Sequence, residues 1–467
     1  MPHPDRPLPA EFLQRLARIV GVDNLLCDPA DRWTYGYDNS RRHALPDAVA
    51  YAGEHAQVLE VVRLCNAHRV PLVARGRGTG TTGATVPVRG GLVLSLERMN
   101  RILRIDPDNR AAVVEPGVTN QELQTAAGAH GFFWPPDPTS AAYCTVGGNL
   151  AYNSAGPRAV KYGTPRENTL GLRAVTGAGD EIRTGTYTTK GVVGYDFTRL
   201  LIGSEGTLAV ITEATLRLTP RPEAKRTIRA VYRDIHSASA AVARIMASPV
   251  TPCALEFIDG AAIEMIRSYS EAELPTHAGA MLMIEVDGSE AGLDEAADAL
   301  RRAASNNGLV SIETARSSEE VARLWQARKA LSPALRQIAP KKINEDVVVP
   351  VSNLPRLIDG LQGLSERHGV PIVNFGHAGN GNIHVNLLVD PDDARQLEAA
   401  DTCLAEVFDL VLRLQGTISG EHGIGLVKRD FVSREIDPVT LDLMRRIKQQ
   451  FDPNGILNPD KMLPAPS

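Results

Sequence analysis

The sequence lacks the residue patterns that mark secreted and membrane-spanning proteins. Its 467 residues contain five cysteines, with no CxxC pair among them. Such scattered cysteines argue against a disulfide framework and indicate reduced thiols. No apolar run approaches the ~18 residues of a membrane span, and the N-terminus has no apolar signal core. We therefore expect a cytoplasmic protein, with peripheral association at the inner membrane as the alternative.

Charge and length limit the class of protein further. With a net charge of −5 the chain has no excess of basic residues, so no nucleic-acid partner is expected. Hydrophobic content of 43% and charged content of 22% are ordinary for a globular chain. At ~150 residues per domain, the length predicts two or three domains.

Local patterns predict most of the elements. Apolar spacing predicts a helix over 10–20, and 48–74 has a strand, helix, strand order. The strand-like 112–115 is expected to begin a second unit of this βαβ kind, because Thr119 and Glu122 form a capping box after it. After the prolines at 220 and 222, strands and helices alternate in a way that favours an antiparallel sheet backed by helices.

A glycine-rich loop is the first candidate binding feature. Gly78, Gly80 and Gly83 fit the spacing of a dinucleotide-binding fingerprint, but a proline and a glycine pair follow where that fingerprint requires a helix. Backbone amides of the loop, helped by Arg75 and Arg77, are then the expected phosphate ligands. A plain hairpin turn is the alternative.

Two later stretches extend this feature. Residues 135–163 and 202–208 are rich in glycine and small polar residues, which let a backbone lie against a planar ring. In this order the motifs R-G-x-G-T-G, P-D-P-x-S, T-V-G-G-N, K-Y-G and G-S-E-G-T-L resemble the FAD-binding domain of the vanillyl-alcohol oxidase/p-cresol methylhydroxylase superfamily. Residues 376–384, 420–425 and 458–462 resemble the C-terminal half of its D-2-hydroxyacid dehydrogenases.

The resemblance, which runs from about residue 45, implies an α+β fold. It consists of a two-subdomain FAD-binding domain of the p-cresol methylhydroxylase type and an antiparallel-sheet substrate (cap) domain with helices. We expect an N-terminal helical extension over 1–45, the FAD-binding domain over 46–222, the cap domain with a metal site over 223–450, and a segment returning to the flavin over 451–467.

The cofactor implied by the resemblance is FAD, with the pyrophosphate at loop 76–83, Glu205 and Ile211 near the adenosine half, and Asn458 and Lys461 near the ring. Cys144 lies where some relatives attach flavin covalently, but a small buried thiol and non-covalent FAD are preferred. The predicted cofactor-binding residues are Arg75, Gly76, Arg77, Gly78, Thr79, Gly80, Gly83, Pro136, Asp137, Ser140, Thr145, Gly147, Gly148, Asn153, Gly156, Tyr162, Gly163, Glu205, Gly206, Ile211, Asn458 and Lys461.

A metal site is predicted around two histidines. His377 is expected in a glycine loop and His384 in a strand, where His384 and Asn386 share a face. Two unrelated histidines in a glycine turn are the alternative on spacing alone. The resemblance adds Glu421 as third ligand, and this donor set suits a divalent metal, zinc or manganese, with iron also open.

The catalytic residues follow from the same resemblance. His422 is the candidate general base, and Arg328 is the candidate clamp for the substrate carboxylate, with a solvated helix face as the alternative for Arg328. Ser332 would share the face of Arg328, and Asn386 would join them in binding substrate. Relatives that act on the five-carbon diacid hold a lysine where this chain has Asn344.

Together these features predict FAD-dependent, metal-assisted oxidation of a D-2-hydroxyacid resembling D-lactate to the 2-oxoacid. A separate acceptor, either a quinone, a cytochrome or an electron-transfer flavoprotein, would receive the electrons. The alternatives are a D-2-hydroxyglutarate dehydrogenase, the flavin subunit of a glycolate oxidase complex, and a flavin oxidase for a sugar or alcohol, which would not need the histidine–glutamate cluster. A homodimer is also open.

Overall fold

The computed structural model describes residues 8–269, 277–315, 317, 319–325, 335 and 341–465. The chain divides into two compact units. The first contains residues 1–156, 163–221 and 421–467, and the second contains 157–162 and 222–420. This differs from the expected division, because 421–450 belongs with the first unit and the short piece 157–162 with the second.

A small parallel sheet begins the first unit. Strands β2 (Ala48–Tyr51), β3 (Leu72–Arg75) and β4 (Leu92–Ser95) pair in parallel, and β1 (Leu25–Leu26) adds antiparallel to β2. Helix α3 (His55–His68) connects β2 to β3, which confirms the first βαβ unit. The glycine-rich loop between β3 and β4 contains no helix, as the sequence predicts.

The second sheet of this unit is antiparallel. Its strand order is β5-β6-β10-β8-β9, and its bounds are β5 (Ile102–Asp106), β6 (Ala111–Val114), β8 (Thr169–Thr176), β9 (Glu181–Gly185) and β10 (Ala209–Arg217). Because β6 pairs antiparallel with both neighbours, the expected second βαβ unit is wrong. The capping box is confirmed: Thr119 and Glu122 cap helix α4 (Asn120–Gly128) reciprocally.

Short elements complete the first unit. Helix α1 confirms the predicted N-terminal helix and packs Phe12, Leu16 and Val20 into the core. Strands β7 (Phe132–Phe133) and β11 (Thr219–Pro220) form a two-stranded ribbon. The helices of this unit are α1 (Ala10–Val20), α2 (Pro29–Arg32), α3, α4, α5 (Val146–Tyr152), α7 (Phe197–Leu201), α13 (Val432–Glu435) and α14 (Pro438–Phe451).

The second unit is one seven-stranded antiparallel sheet with the order β15-β12-β14-β13-β17-β18-β16. The strands are β12 (Ala224–Tyr232), β13 (Ala254–Asp259), β14 (Ala280–Gly288), β15 (Leu309–Ala315), β16 (Lys341–Val348), β17 (Ile372–His377) and β18 (Asn382–Val389). The predicted antiparallel sheet is therefore confirmed.

Helices cover this sheet. The helices of the unit are α6 (Ala159–Tyr162), α8 (Ile235–Met246), α9 (Gly260–Tyr269), α10 (Glu290–Ala304), α11 (Leu354–His368) and α12 (Ala394–Arg413). Helices α8 and α10 pack on β12 and β14, α11 packs on β17, and α12 packs on β18. Within the described ranges of the whole chain, every helix is too short or too polar to cross a bilayer.

Candidate active site

An open cavity lies in the first unit where the glycine-rich loop, helix α5 and the start of β10 meet. Eight predicted cofactor-binding residues line it: Arg75, Gly76, Thr145, Gly147, Gly148, Glu205, Gly206 and Ile211. The other predicted cofactor residues, from the loop tip, the 136–163 stretch and the C-terminal segment, are not among its lining.

Glycines let the backbones around the cavity approach closely. A Cβ on Gly76 would lie 2.4 Å from Thr145 Oγ1, and one on Gly147 would lie 2.6 Å from Pro116 Cβ. Thr145 caps helix α5 through the N–H of Gly148. The first turn of this helix therefore presents bare backbone to the cavity, as a planar, phosphate-bearing ligand such as FAD requires.

The two arginines of the loop differ in their surroundings. The buried Arg75 guanidinium donates to Thr85 Oγ1 at 3.2 Å and to the carbonyl of Thr34 at 3.3 Å, and burial lowers its pKa. Arg77 is exposed and lies 3.8 Å from Glu97. Two of the five N–H donors of Arg75 are thus used inside the protein.

Glu205 lies between the cavity and a second loop. It lines the cavity, and its carboxylate accepts from the backbone N–H groups of Ile424 at 2.5 Å and Gly425 at 2.8 Å. Burial raises its pKa, and these two hydrogen bonds oppose that rise. The sequence analysis assigned Glu205 only to the adenosine half and missed this contact.

The C-terminal segment returns to the first sheet. Leu457 forms a parallel bridge with Leu72, and Asn458 Nδ2 donates to the carbonyls of Ala84 and Glu205. Lys461 Nζ donates to Asn458 Oδ1 at 3.2 Å, and burial lowers the lysine pKa to about 8. Asn458 and Lys461 are therefore buried beside the glycine-rich loop.

Tyr162 was predicted to bind the flavin, and that role stays a prediction. It lies in the second unit, where its hydroxyl donates to Asp287 Oδ2 at 2.8 Å. Burial, followed by this bond, raises the tyrosine pKa. The adjoining Lys161 binds the same aspartate. This part of the K-Y-G motif therefore binds strand β14 of the seven-stranded sheet.

His377 and His384 lie on one face of the seven-stranded sheet of the second unit. Phe375 lies opposite His384 across β17 and β18, and residues two apart on a strand share a face. The ring centroids of the two histidines are 5.3 Å apart and nearly perpendicular. His377 ends β17, so the expectation that it belongs to the loop is wrong.

Glu256 is a site residue that the sequence analysis missed. It lies opposite His377 in the sheet, is buried, and binds His377 Nδ1 through Oε1. The available signal was a lone carboxylate inside the apolar stretch 254–258, because a buried charge requires a partner. Its partner, however, is 121 residues away in the chain.

Asparagines continue this face towards the sheet edge. Asn386 is fully buried and donates from Nδ2 to the carbonyls of Val373 and His384, so its amide orientation is determined by two acceptors. Asn344 lies directly opposite Asn386, and Lys342 lies one pair further along the same face. Buried amide oxygens on Asn344 and Asn386 have no hydrogen-bond partner within the described part of the chain.

The loop before Glu421 is bound at the same strands. Asp346 lies opposite His384, and its carboxylate accepts from the Gly420 N–H at 2.7 Å and from Ser419 Oγ at 3.2 Å. Glu421 follows Gly420 by one peptide bond, a Cα step of about 3.8 Å. Its Oε2 accepts from the N–H of Gly156 at 3.0 Å. Gly156, predicted to line the flavin, therefore also binds this carboxylate.

Two predicted substrate residues, Arg328 and Ser332, lie outside the described residues. Cys144 is buried and contacts Asn149, as expected for a small buried thiol.

Two family profiles match this chain. Residues 46–185 match the FAD binding domain, and residues 221–462 match the C-terminal domain of FAD linked oxidases. The chain belongs to the FAD-linked oxidase family. It is an oxidoreductase with an FAD-binding domain, and the glycine-lined cavity in the first unit fits that cofactor.

Several relatives match over nearly their whole length. Glycolate oxidase subunit GlcD from Bacillus subtilis (strain 168) is 38% identical over 450 residues, which are 96% of each chain. A D-lactate dehydrogenase from Anaerostipes hadrus is 31% identical over 427 residues, which are 90% of each chain.

Solved structures agree with the fold. A 4-ethylphenol oxidase from Gulosibacter chungangensis has a TM-score of 0.79 at 21% identity and covers 99% of both chains. A p-cresol methylhydroxylase has a TM-score of 0.77 at 20% identity, with 96% of this chain and 95% of that chain covered. The predicted two-domain α+β fold of the p-cresol methylhydroxylase type is confirmed.

Proposed function

We propose that this flavoprotein oxidises a small D-2-hydroxyacid such as D-lactate to the 2-oxoacid with the help of a divalent metal. The observation that carries this proposal is a donor set in an FAD-linked oxidase. His377 and His384 each offer an imidazole nitrogen from neighbouring strands, with ring centroids 5.3 Å apart, and Glu421 is proposed to supply the third ligand atom. Two imidazoles and one carboxylate suit zinc, manganese or iron and leave positions for a substrate.

The buried pair formed by Glu256 and His377 supports the same proposal. A carboxylate that accepts from Nδ1–H holds the imidazole in the tautomer whose Nε2 carries the lone pair. Glu256 is 2% exposed and lies directly across the sheet from His377, so it fixes the ring as well as the tautomer. Carboxylate–histidine pairs of this kind are common behind metal ligands.

The two bound groups would supply different chemistry. FAD would be the two-electron acceptor that takes the hydrogen on the substrate C2 as a hydride. A divalent metal at His377, His384 and Glu421 supplies a Lewis acid that lowers the pKa of the substrate hydroxyl.

The remaining chemistry falls to the protein's own residues. His422 follows the proposed ligand Glu421, and its imidazole is the proposed acceptor of the hydroxyl proton. Its backbone carbonyl accepts from Thr82 Oγ1 at 3.3 Å, which restricts the loop at that residue. Asn386 is proposed to bind substrate through its amide oxygen, and Arg328 to bind the carboxylate in a bidentate manner.

Substrate reduction of the flavin tests the proposal. Purified holoprotein is mixed without oxygen with D-lactate, L-lactate, glycolate or D-2-hydroxyglutarate, and flavin bleaching is followed by stopped flow. D-Lactate should bleach the flavin and L-lactate should not. If dithionite bleaches the flavin and none of the four acids does, the proposed activity is wrong.

A second candidate function is the flavin subunit of a glycolate oxidase complex. It is favoured by the 38% identity to the B. subtilis protein named glycolate oxidase subunit GlcD. The same experiment separates the two, because a subunit that works only in a complex would not be bleached alone. Glycolate bleaching faster than D-lactate bleaching would favour the glycolate substrate.

A further inference from the structure

We propose that Glu205 is a positioning residue that holds the loop of residues 421–425, the ligand loop, against the wall of the cofactor cavity. This inference rests on the proposed function, because that function places a metal ligand and the general base in the ligand loop. It gives Glu205 a role beyond contact with the cofactor.

The carboxylate of Glu205 is the direct link. It is 5% exposed, lines the cavity, and binds two consecutive backbone N–H groups, those of Ile424 and Gly425. A charged acceptor strengthens such bonds compared with a neutral one. Because both oxygens are used on adjacent amides, the carboxylate determines the direction of the backbone just after His422.

Glu205 is itself held in a strained conformation. Its φ is +52°, its N–H donates to Ala151 O at 2.9 Å, and its carbonyl accepts from Asn458 Nδ2 at 2.7 Å. A left-handed backbone at a non-glycine residue is costly and persists where the surroundings require it. The buried cations of Lys461 and Lys428 favour the charged carboxylate. The orientation of the Glu205 side chain is therefore determined both by its backbone hydrogen bonds and by the lysines near its carboxylate.

The ligand loop fits too closely for this contact to be incidental. A Cβ on Gly423 would lie 2.6 Å from Glu205 Oε1, and a Cβ on Gly425 would lie 2.3 Å from the carbonyl of Thr82. That carbonyl also accepts from Leu426 N–H at 2.8 Å. The loop is thus bound by Glu205 at 424 and 425 and by Thr82 at 426, directly after the proposed base.

The predicted effect follows from these bonds. Glu205→Gln keeps the size of the side chain but offers one acceptor oxygen for two amides and removes the charge. The loop should then open more often, and a proton acceptor displaced by even 1 Å loses rate. Substrate binding should change little, because it is proposed to depend mainly on residues of the seven-stranded sheet.

The experiment has two readouts on purified holoprotein. Hydrogen exchange of the peptide covering 421–427 reports on the loop without any substrate. We expect the Ile424 and Gly425 amides of Glu205→Gln to exchange about tenfold to a hundredfold faster than in wild type, because this is the factor by which a hydrogen bond to a charged group stabilises the closed loop. The limiting rate of flavin reduction by D-lactate should fall by about tenfold or more, while the half-saturating concentration changes by less than about threefold.

Asp106→Asn is the matched control. Asp106 is another buried carboxylate of the first unit that accepts a backbone N–H, from Asn109, and it does not line the cavity. It should leave both readouts unchanged. If Glu205→Gln does not fold, Thr82→Val removes the hydroxyl bond to the His422 carbonyl and should change both readouts in the same direction, by less.

The outcomes are distinct. Unchanged loop exchange and reduction rate in Glu205→Gln overturn the inference, and so does loss of FAD with unchanged loop exchange, which would make Glu205 a flavin-binding residue alone. If wild-type flavin is not bleached by any 2-hydroxyacid, the proposed function fails, yet faster loop exchange in Glu205→Gln still supports the positioning role.

Discussion

Substitution of Glu256 should weaken metal binding without removing a metal ligand. Glu256 is 2% exposed and contacts His377 Nδ1, so it fixes the imidazole from behind. Residues in this position typically contribute about 10- to 100-fold to metal affinity, which is about 1.4–2.7 kcal/mol. In Glu256→Gln the amide oxygen would still accept one hydrogen bond but would carry no charge. This variant should therefore lie near the tenfold end, and Glu256→Ala near the hundredfold end.

Competition with a chelator measures this effect. Holoprotein is dialysed against a graded series of chelator concentrations, the retained metal is determined by elemental analysis, and bound FAD is determined from its absorbance. The chelator concentration that removes half of the metal should fall about tenfold for Glu256→Gln. FAD content should not change, because the cavity lies in the other unit.

Asp259→Asn is the control for general damage to β13. Asp259 is also a buried carboxylate of this strand, but it lies an odd number of positions from Glu256, so it points to the other face. It binds Asn374 and caps the following helix, and its substitution should leave metal affinity unchanged. Equal metal retention by Glu256→Gln and wild type, or an equal loss in both variants, would refute the reasoning.

Three further outcomes are expected. Burial raises the Asp259 pKa from 3.8 to about 6, so the stability that its proton provides is fully present below pH 3.8 and is lost as the pH rises through 6; between pH 4 and 6.5, wild type should lose about 2 kcal/mol of unfolding free energy relative to Asp259→Asn in denaturant unfolding. Acid precipitation should release the yellow colour into the supernatant, since Cys144 is buried against Asn149, and colour retained in the pellet would contradict non-covalent FAD. D-Lactate should reduce the flavin more efficiently than D-2-hydroxyglutarate, and Asn344→Lys should narrow the difference by about tenfold or more, because a buried second carboxylate needs a cation; equal use of both acids by wild type would indicate that Lys342, which shares this face, already serves that purpose.

Local patterns predicted much of the fold. The helix at 10–20, the capping box of Thr119 and Glu122, and the absence of a helix after the glycine loop depend on neighbours within a few residues. Strand direction does not, and the strand at 111–114 was wrongly placed in a βαβ unit because its partners begin at 102 and 209.

In the candidate site too, residues with a local sequence signal were predicted and residues with distant partners were missed. His377 and His384 were singled out because glycines lie between them, and Glu421 was added through the family resemblance; their role as metal ligands stays a prediction. Glu256 and Glu205 were missed in their present roles, because each acts on a segment more than 100 residues away, and only the folded chain brings the pairs together. The bond between Tyr162 and Asp287 was not foreseen for the same reason, because the two residues are 125 positions apart in the chain.

Metal dependence of flavin reduction tests the central claim most directly. Holoprotein is freed of metal by chelation with FAD retained, mixed with D-lactate without oxygen, and then titrated with zinc or manganese while bleaching is followed. The account predicts no bleaching without metal, full restoration at one equivalent, and no restoration in His384→Asn. Rapid bleaching by D-lactate in protein shown to be metal-free by elemental analysis would contradict it.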